Sequence, residues 1–464
     1  MDILQTVFQG LVDLGASVFL PIVITLIGII LGMKPTKAFS AGLTLGVALV
    51  GMNHVMSLMT DSVGAAAQAF VQNTGVQLKA LDMGWAPALG LCWTWEYAFL
   101  MFPVQIGINI LLLAVGFTNC LNVDMWNVGN KVCTAFLVAY VSGNPAIGFA
   151  CAIIQCVFEL KNADCTKYRL QKLTGIPGIS MPHPMFLAGI YYYPLTHFLD
   201  KIIPDSMNID AQKIRDKIGI FGENHIMGFI VGCFIGIFGG YDYKEVLTLG
   251  VQAGTALMLF PMVAKLFMTA LTPVSNGATE FMKKKFHGRD ISIGMDWPVM
   301  AGRSEHWLMM ILAIPVIFIY AIFLPGNIVL PFGGLMDICL IVPLFYLTMG
   351  NMLKMAIGTL IGLPLHLYVA SYFAPHFTKL AQITGGASVP KGQMLAWFGI
   401  DISELRWVFA AASEKNIIAI VILVVTIPLA VYYFKSIKRE DMEFAKELGI
   451  KTEAKSGEKG DLFL

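Results

Sequence analysis

Charged residues are scarce in this chain of 464 residues, since Asp, Glu, Lys and Arg together make up only 13% of it. A soluble domain contains about 25% of them, and the mean hydropathy of +0.72 points the same way. The 31 basic and 30 acidic residues nearly cancel to a net charge of +1, which argues against a bulk basic surface for nucleic acid. Because 57% of the residues are hydrophobic, the composition predicts a polytopic membrane protein.

Paired cysteines and the common cofactor motifs are also missing. None of the eight cysteines belongs to a CxxC pair, so neither a metal site nor a disulfide framework is indicated. The sequence contains no P-loop, HExxH motif, nucleophile elbow or dinucleotide-binding fingerprint, and we expect no cofactor. The first residues, MDILQTVFQGLVDLG, lack the basic start and the small-residue cleavage site of a signal peptide, which predicts an uncleaved N-terminus.

Long apolar runs are what the sequence does contain. A membrane-spanning helix needs about 20 mostly apolar residues, and about eleven runs qualify. They are 14–32, 38–59, 97–116, 132–158, 184–200, 223–240, 245–271, 307–324, 335–349, 352–373 and 416–434. Polar breaks at Gly143–Asn144–Pro145 and at Gly350–Asn351 leave open whether the runs around them are one broken helix or two short ones. The predicted fold class is an all-α polytopic membrane protein.

The distribution of Lys and Arg predicts the orientation, because cytoplasmic loops are enriched in them. The tail after residue 434 begins KSIKRE and is placed in the cytoplasm, so eleven spans put the N-terminus outside. Loop 282–303 is rich in basic residues, whereas loop 61–95 contains only one. Segment 161–172 disagrees: it has four basic residues where alternation places it outside. We expect either a partly buried excursion there or a miscounted span near residue 143.

The two halves of the chain repeat one another. Matching strings follow in the same order, roughly 200 residues apart. They are TLGV at 44–47 and 248–251, DMGWAP at 82–87 and GMDWP at 294–298, SGN at 142–144 and MGN at 349–351, and Ser180 with Pro182 against Ser388 with Pro390. An odd number of spans in each half would invert the second copy in the membrane. Inverted repeats with broken segments are typical of transporters that hold substrate near the midplane.

Two polar, broken stretches occupy corresponding places in the repeat: TGIPGISMPHP at 174–184 and TGGASVP at 384–390. Proline prevents regular helix there. Non-helical backbone at membrane depth is tolerated only where it is buried in protein or lines a cavity. We therefore expect both stretches to form a binding site, whose N–H groups and serine hydroxyls suit a polyhydroxylated solute. The alternative is a pair of ordinary extramembrane loops.

Several unusual strings occur in an order that resembles one transporter family. They are NVDMWN (122–127), PHP (182–184), FGE (221–223), GGYD (239–242), LTP (271–273), GMD (294–296) and PGNIVLPFGGL (325–335). From about residue 10 to 435 the chain resembles the galactitol-type IIC permeases of the bacterial phosphoenolpyruvate-dependent sugar phosphotransferase system, in the ascorbate–galactitol superfamily. Glu305 and His306 in GRSEHW, and Pro184 after His183, depart from that pattern and leave the substrate open.

The resemblance implies a mechanism and partners. It implies a homodimer in the bacterial inner membrane, with a scaffold domain and a mobile core domain that works as an elevator. It also implies that a polyol or sugar is phosphorylated at the cytoplasmic side by a phosphocysteine on a IIB protein. IIA takes part indirectly, through IIB. The tail of about 30 residues is too short for a IIB domain and has no cysteine. The chain is thus expected to be the permease component alone.

The resulting organisation is a single permease domain, 1–434, followed by a cytoplasmic charged tail, 435–464. Within the permease domain we expect one repeat from about residue 10 to 200 and a second from about 221 to 410. A cytoplasmic linker, 201–220, would join the repeats, and a final helix, 416–434, would close the domain.

Candidate site residues follow from the broken stretches and from polar groups inside or beside apolar runs. Transfer of a phosphoryl group to a hydroxyl needs positioning and a base, for which His183 and Glu223 are the candidates. The candidate substrate-binding residues are Ser180, His183, His54, Asn53, Glu96, Asn144, Asp296, Glu305, His306, Asn351 and Ser388. Structural roles stay open: His183 as a hydrogen-bonded structural histidine, Glu223 as a carboxylate at a helix N-terminus, and Asn53 with His54 as a contact between helices.

Two other classes of function remain to be weighed. An ion-coupled secondary transporter of a small polar solute would need a proton or sodium site, which Glu96, Asp296 or Asp337 could supply. An intramembrane enzyme would need metal-ligand spacing or a nucleophile beside a base, and neither pattern is present in the sequence.

Overall fold

The fold is mostly helical, as expected for an all-α membrane protein. A computed structural model describes residues 16–75, 78–93, 95–122, 125–204, 207, 223–285, 291–300, 303–331, 334, 338–384 and 394–450. Within these ranges long helices alternate with six strands of two or three residues. The strands, although very short, decide how the two halves of the chain meet.

The first half runs from α1 to α8. Its helices are α1 (Ala16–Ile30), α2 (Pro35–Thr74), α3 (Trp85–Trp93), α4 (Met101–Ala114), α5 (Met125–Ser142), α6 (Pro145–Cys165), α7 (Lys167–Thr174) and α8 (Gly189–Ile202). Its strands are β1 (Ala80–Asp82), β2 (Cys120–Leu121) and β3 (Ile179–Ser180), and 3-10 turns cover Ala98–Leu100 and Pro184–Ala188.

The second half continues with α9 to α15. Its helices are α9 (Asn224–Phe238), α10 (Tyr243–Lys285), α11 (Ser304–Phe323), α12 (Ile341–Thr348), α13 (Met352–Thr384), α14 (Ser403–Ser413) and α15 (Ile417–Glu447). Its strands are β4 (Ser292–Gly294), β5 (Val329–Leu330) and β6 (Met394–Ala396), and a 3-10 turn covers Trp297–Met300.

The two polar breaks each separate two helices. Gly143 adopts a left-handed φ of 71°, and the Asn144 side chain then caps α6 by accepting the Ala146 N–H at 2.9 Å. Gly350 has a φ of 83°, and the Asn351 side chain accepts the Lys354 N–H at 3.2 Å at the start of α13. A glycine turn followed by a capping asparagine ends one helix and begins the next. Of the two alternatives left open for the stretches around 143 and 350, the structure therefore shows two helices in each case.

Several helices extend beyond their predicted spans. α2 has 40 residues and α10 has 43, which corresponds to about 60 Å, twice the thickness of the hydrocarbon core. The predicted loop 61–95 thus begins as helix through Thr74. α15 continues to Glu447, so the first part of the charged tail is helical.

The six strands form two three-stranded, parallel sheets in the orders β5-β1-β6 and β2-β4-β3. Each sheet places a strand of one half between two strands of the other half. The first, second and third strands of the two halves take equivalent places in the two sheets. The strand pairing therefore interlocks the two halves of the chain.

The register of the strands shows which residues of the two halves take equivalent places in the sheets. Ser180 of β3 lies opposite Gly294 of β4, and Ala396 of β6 lies opposite Asp82 of β1. In the sheets, Ala396 therefore occupies the place equivalent to Ser180. A longer connection, 385–393, precedes β6; it lies outside the described residues and contains Ser388.

The basic segment 161–172 lies against the helical tail. Arg169 forms an ion pair with Glu440, and Lys172 Nζ lies 2.9 Å from Glu447 Oε2. The Asp441 carboxylate accepts the backbone N–H groups of Tyr168 at 3.2 Å and Arg169 at 2.6 Å, which caps α7. The contact brings the basic segment and the tail together, and the break at Gly143 separates two helices where a miscounted span was one of the two expectations.

Apolar length agrees with a membrane protein. Within the described residues, three helices are long and apolar enough to cross a bilayer: Pro145–Cys165, Met352–Ile383 and Ile417–Glu447. Shorter apolar helices cover Pro103–Ala114, Gly228–Phe238 and Leu308–Phe323. The first part of α15 leaves large aliphatic side chains exposed, among them Ile417 at 77% and Val424 at 62%, as a face toward lipid requires.

The Asp441 cap yields a stability prediction. Asp441→Ala leaves two backbone donors of α7 without their acceptor, and we expect the free energy of unfolding to fall by about 1–3 kcal/mol. Thermal unfolding in detergent measures this, and trypsin should cut faster at Lys167–Lys172. Glu443→Ala removes an exposed carboxylate from the same turn and serves as the control. Equal thermal midpoints and cleavage rates for both variants would contradict the assignment of the cap.

Candidate functional site

His183 stands at the end of β3, where the PHP string turns into a 3-10 helix. Its Nδ1 accepts the Met185 N–H at 3.3 Å, which assigns the ring proton to Nε2. That Nε2 lies 3.1 Å from Asp296 Oδ1 and 3.3 Å from Asn130 Nδ2. Only 3% of the residue is exposed, so His183 donates to Asp296 inside the protein.

Asp296 reaches His183 because of the strand register. β4 ends at Gly294, which is paired with Ser180, so the residues that follow each strand are carried to one place. Asp296 Oδ1 also accepts the Trp297 N–H at 2.7 Å, which fixes the carboxylate. A histidine of the first half and a carboxylate of the second half thereby form a buried pair.

Arg406 of α14 joins this pair from the second half. Its Nη2 donates to the Asn130 carbonyl at 2.8 Å and to Asn130 Oδ1 at 3.0 Å, and its Nε donates to Thr134 Oγ1 at 2.8 Å. Because Asn130 Oδ1 accepts from the guanidinium, the amide nitrogen faces His183. The Arg406 side chain is fully buried, so these contacts hold a positive charge at the centre of the molecule.

The polar chain continues between α5 and α6. Thr134 Oγ1 lies 2.5 Å from Gln155 Oε1, and Gln155 Nε2 donates to Glu159 Oε1 at 2.6 Å. Glu159 forms an ion pair with Lys131, whose Nζ also donates to the Asn127 carbonyl at 2.8 Å. Both charged side chains are fully buried. Such groups persist in an apolar interior only when they are paired and hydrogen-bonded.

Ser180 is bonded within its sheet. Its hydroxyl donates to Cys120 Sγ at 3.1 Å and accepts from Ser292 Oγ at 2.8 Å. The three residues come from the three strands of the sheet β2-β4-β3, and Ser180 is fully buried. The serine therefore fastens the strands that position His183 and Asp296.

A second group of predicted residues lies around Phe345. Glu305 pairs with Arg303 at 2.7 Å, and the fully buried His306 ring lies 4.2 Å from the Phe345 ring. The Gly350 position lies close to both Phe345 and Glu305. Glu305, His306 and the capping Asn351 thus gather at the turn between α12 and α13.

The remaining predicted residues are dispersed. His54, Glu96, Asn144 and Glu223 are exposed. Glu223 precedes α9 without a capping hydrogen bond from its side chain, and no described contact links it to His183. The side chain of Asn53 and all of Ser388 lie outside the described residues. Of the predicted site residues, the structure pairs His183 with Asp296 and not with Glu223, the other candidate base.

The polar side chains of α5 and α6 and the arginine of α14 were missed by the sequence reasoning. They are Asn127, Asn130, Lys131, Thr134, Gln155, Glu159 and Arg406. A signal was present, because four of them follow the i, i+3, i+4, i+7 spacing of one helix face at the start of an apolar run, and Gln155 and Glu159 are four residues apart. Ionisable residues in such runs are functional candidates by default.

Comparison with known proteins decides the family. A model of the EIIC-GAT family, described as the PTS system sugar-specific permease component, matches residues 10–392. The PTS system galactitol-specific EIIC component of Escherichia coli (strain K12) is 32% identical over 424 residues, which covers 90% of this chain and 93% of that protein. The protein of the same name from Escherichia coli O157:H7 matches equally.

The chain belongs to the EIIC-GAT family of sugar-specific permease components. A further relative, the "Putative permease IIC component" of Escherichia coli (strain K12), is 30% identical over 442 residues, which covers 93% of this chain and 99% of that protein. An EIIC-GAT component is a membrane permease of the sugar phosphotransferase system and works with IIB and IIA proteins. The match to family and relatives includes α5, α6 and the His183–Asp296 pair.

The ion pair between Lys131 and Glu159 yields a prediction on stability. Lys131→Met leaves a buried carboxylate without its counter-charge, and we expect the free energy of unfolding to fall by about 3–5 kcal/mol. Adding Glu159→Gln removes the stranded charge and keeps an acceptor for Gln155, so the double variant should recover part of that loss. Thermal unfolding of the four proteins in detergent forms a double-mutant cycle. A double variant as unstable as the sum of the two single variants would contradict the pairing.

Proposed function

We propose that this chain is a permease for galactitol or a related polyol, with its binding site beside His183 and Asp296. It binds the polyol, carries it across the membrane and presents one hydroxyl to the phosphocysteine of a separate IIB protein. The observation that carries the proposal is the buried His183–Asp296 pair, which strands from opposite halves bring to 3.1 Å. The galactitol-specific relatives support the choice of substrate class.

The chemistry of this site fits a hydroxyl. A hydroxyl donates one hydrogen bond and accepts others, and the site offers Asp296 as an acceptor beside Asn130 and Arg406 as donors. In the transfer step the S–P bond of the phosphocysteine breaks and an O–P bond to the polyol forms. The hydroxyl proton passes to Asp296, and the cysteine leaves as a thiolate. His183 holds the carboxylate in place, which positions the base.

We further propose about eleven transmembrane helices in two inverted repeats. Support comes from the strand exchange between the halves and from the long helices α2 and α10, which take equivalent places. The glycine–asparagine breaks before α6 and α13 also take equivalent places in the two proposed repeats. Two repeats of opposite orientation would place the buried pair near the bilayer midplane.

An elevator with a scaffold and a mobile core suits the packing of the helices. α1, α2, α9 and α10 pack mainly on one another and make fewer contacts with the helices that carry the polar site. In the proposal, the bundle of these four helices forms the scaffold and the contact surface of a homodimer. The helices α5, α6, α13 and α14 move with the substrate.

We propose the bacterial inner membrane as the location, with repeats at about 10–200 and 221–410, a linker at 201–220 and the cytoplasmic tail at 435–464. The contact of Arg169 and Lys172 with the helical tail supports this orientation, because it gathers basic residues at one end of the molecule. The final helix of the permease domain, 416–434, then leads into the cytoplasm.

Phosphorylation-coupled uptake tests the proposal. Membrane vesicles with the full chain and phosphorylated IIB should take up galactitol and release galactitol phosphate. Asp296→Asn and His183→Ala should lower the rate by about 10²–10⁴-fold, since positioned bases contribute that much. Glu443→Gln, an exposed change in α15, is the matched control.

Two results would contradict the proposal. If both site variants take up galactitol at the wild-type rate, the His183–Asp296 pair has no role in phosphorylation-coupled uptake. Uptake of unmodified polyol that needs a pH gradient and no IIB would instead favour an ion-coupled transporter.

A further inference from the structure

Beside the His183–Asp296 pair lies a second buried polar cluster, of which only Arg406 has a role above. We call it the α14 cluster; it consists of Trp397 and Asp401 from the segment that leads into α14, Glu404 and Arg406 from α14, and His366 from α13. All five residues are at least nine-tenths buried, with exposed fractions from 0% for Arg406 to 6% for Glu404.

Several polar atoms of the α14 cluster have no partner at hydrogen-bond distance within the described part of the chain, although Glu404 interacts at longer range with His366 and Tyr192. These atoms are Trp397 Nε1, Asp401 Oδ1, Glu404 Oε1 and Oε2, Arg406 Nη1 and His366 Nε2. Buried polar atoms are nearly always satisfied, and exceptions gathered at one place call for an explanation. Six such atoms on five neighbouring residues indicate a place where a polar ligand completes the bonding.

His366 and Glu404 face one another across a gap wider than a hydrogen bond. Ser403 Oγ donates to the Ile400 carbonyl at 2.8 Å, so it accepts from His366 Nδ1 at 3.0 Å. His366 Nε2 lies 3.7 Å from Glu404 Oε1, and the two side chains interact electrostatically. A gap of this length fits an O–H group of a ligand that bonds to both side chains.

The backbone of the α14 cluster is held in a strained conformation. Ile402, between Asp401 and Ser403, adopts φ 45° and ψ 47° at the start of α14. The left-handed region is strongly disfavoured for a β-branched side chain. Strain of this kind persists where the surrounding structure enforces it, most often at functional sites. The strained residue sets the directions of the two acidic residues on either side of it.

Arg406 connects the α14 cluster with the site around His183. Its Nε and Nη2 are bonded to Thr134 and Asn130, the latter being the neighbour of His183, whereas Nη1 is unpartnered within the described residues. Its guanidinium also lies over the Trp397 ring, 5.8 Å from the ring centroid. One arginine therefore borders both places, as it would if a single extended ligand occupied them.

We propose that the α14 cluster is a second hydroxyl-binding subsite, which binds the end of the polyol remote from His183. This inference rests on the proposed permease function and assigns the two ends of the substrate. Asp401, Glu404 and His366 accept from substrate hydroxyls, and Trp397 Nε1 and Arg406 Nη1 donate to them. Because two carboxylates repel anions, the subsite selects neutral polyols against sugar acids and keeps the phosphorylated end at the His183 side.

Binding to the purified full-length protein without IIB tests the subsite. Isothermal titration with galactitol, mannitol, sorbitol and xylitol should find at least one ligand, and galactonate should bind at least tenfold more weakly than galactitol. Glu404→Gln and Asp401→Asn should each raise the Kd of the bound polyol at least tenfold. Glu414→Gln, an exposed carboxylate at the other end of α14, is the matched control and should leave the Kd unchanged.

A second measurement needs no substitution and decides the matter if the buried variants fail to fold. In the wild-type protein with bound polyol, the backbone amides in 397–406 should exchange hydrogen more slowly than in the same protein with galactonate at the same concentration. Unchanged exchange there would overturn the subsite.

The outcomes separate the subsite from the proposed function. If wild-type protein binds and phosphorylates a polyol while both folded variants keep the wild-type Kd, the subsite is wrong and the permease function stands. If the wild-type protein binds none of the four polyols, the permease proposal and the subsite fall together.

Discussion

Backbone groups freed where helices break must find hydrogen-bond partners inside an apolar body, and the rest of this structure depends on how that is done. Two three-stranded sheets supply the partners, each with a strand of one half between two strands of the other. Neither half can satisfy its broken segments alone. The exchange fixes the register of β3 and β4, and that register carries His183 and Asp296 to the same place.

Buried charged side chains, like the freed backbone groups, need hydrogen-bond partners inside the protein. The buried Arg406 from the second half bonds to Asn130 and Thr134 of the first half, so burying a cation also fastens the halves together. Polar groups of an apolar interior concentrate where the halves meet, because each half provides partners that the other lacks. In the proposed function, the polyhydroxylated solute binds at the same junction, since the junction combines donors and acceptors with exclusion of lipid.

How much the sequence predicted depends on whether a feature is local. The breaks before α6 and α13 were foreseen, because a glycine and a capping asparagine act on their own backbone. His183 and Asp296 were each singled out as unusual polar residues. Their pairing was not foreseen, since strand register depends on contacts between segments more than a hundred residues apart. Glu223 was chosen as a second candidate base because it begins an apolar run, and the polar face of α5 was overlooked because apolar neighbours hid its helical spacing.

Oxidative crosslinking between β2 and β4 tests the strand exchange most directly. Cys120 lies in register with Ser292, so Ser292→Cys should form a disulfide with the native Cys120. A protease site inserted in 208–222 would then allow the halves to be cut apart. We expect a non-reducing gel to show them still joined after cleavage, and to show two fragments when Cys120→Ala is added. Two separate fragments from Ser292→Cys with Cys120 intact would contradict the interlocked halves.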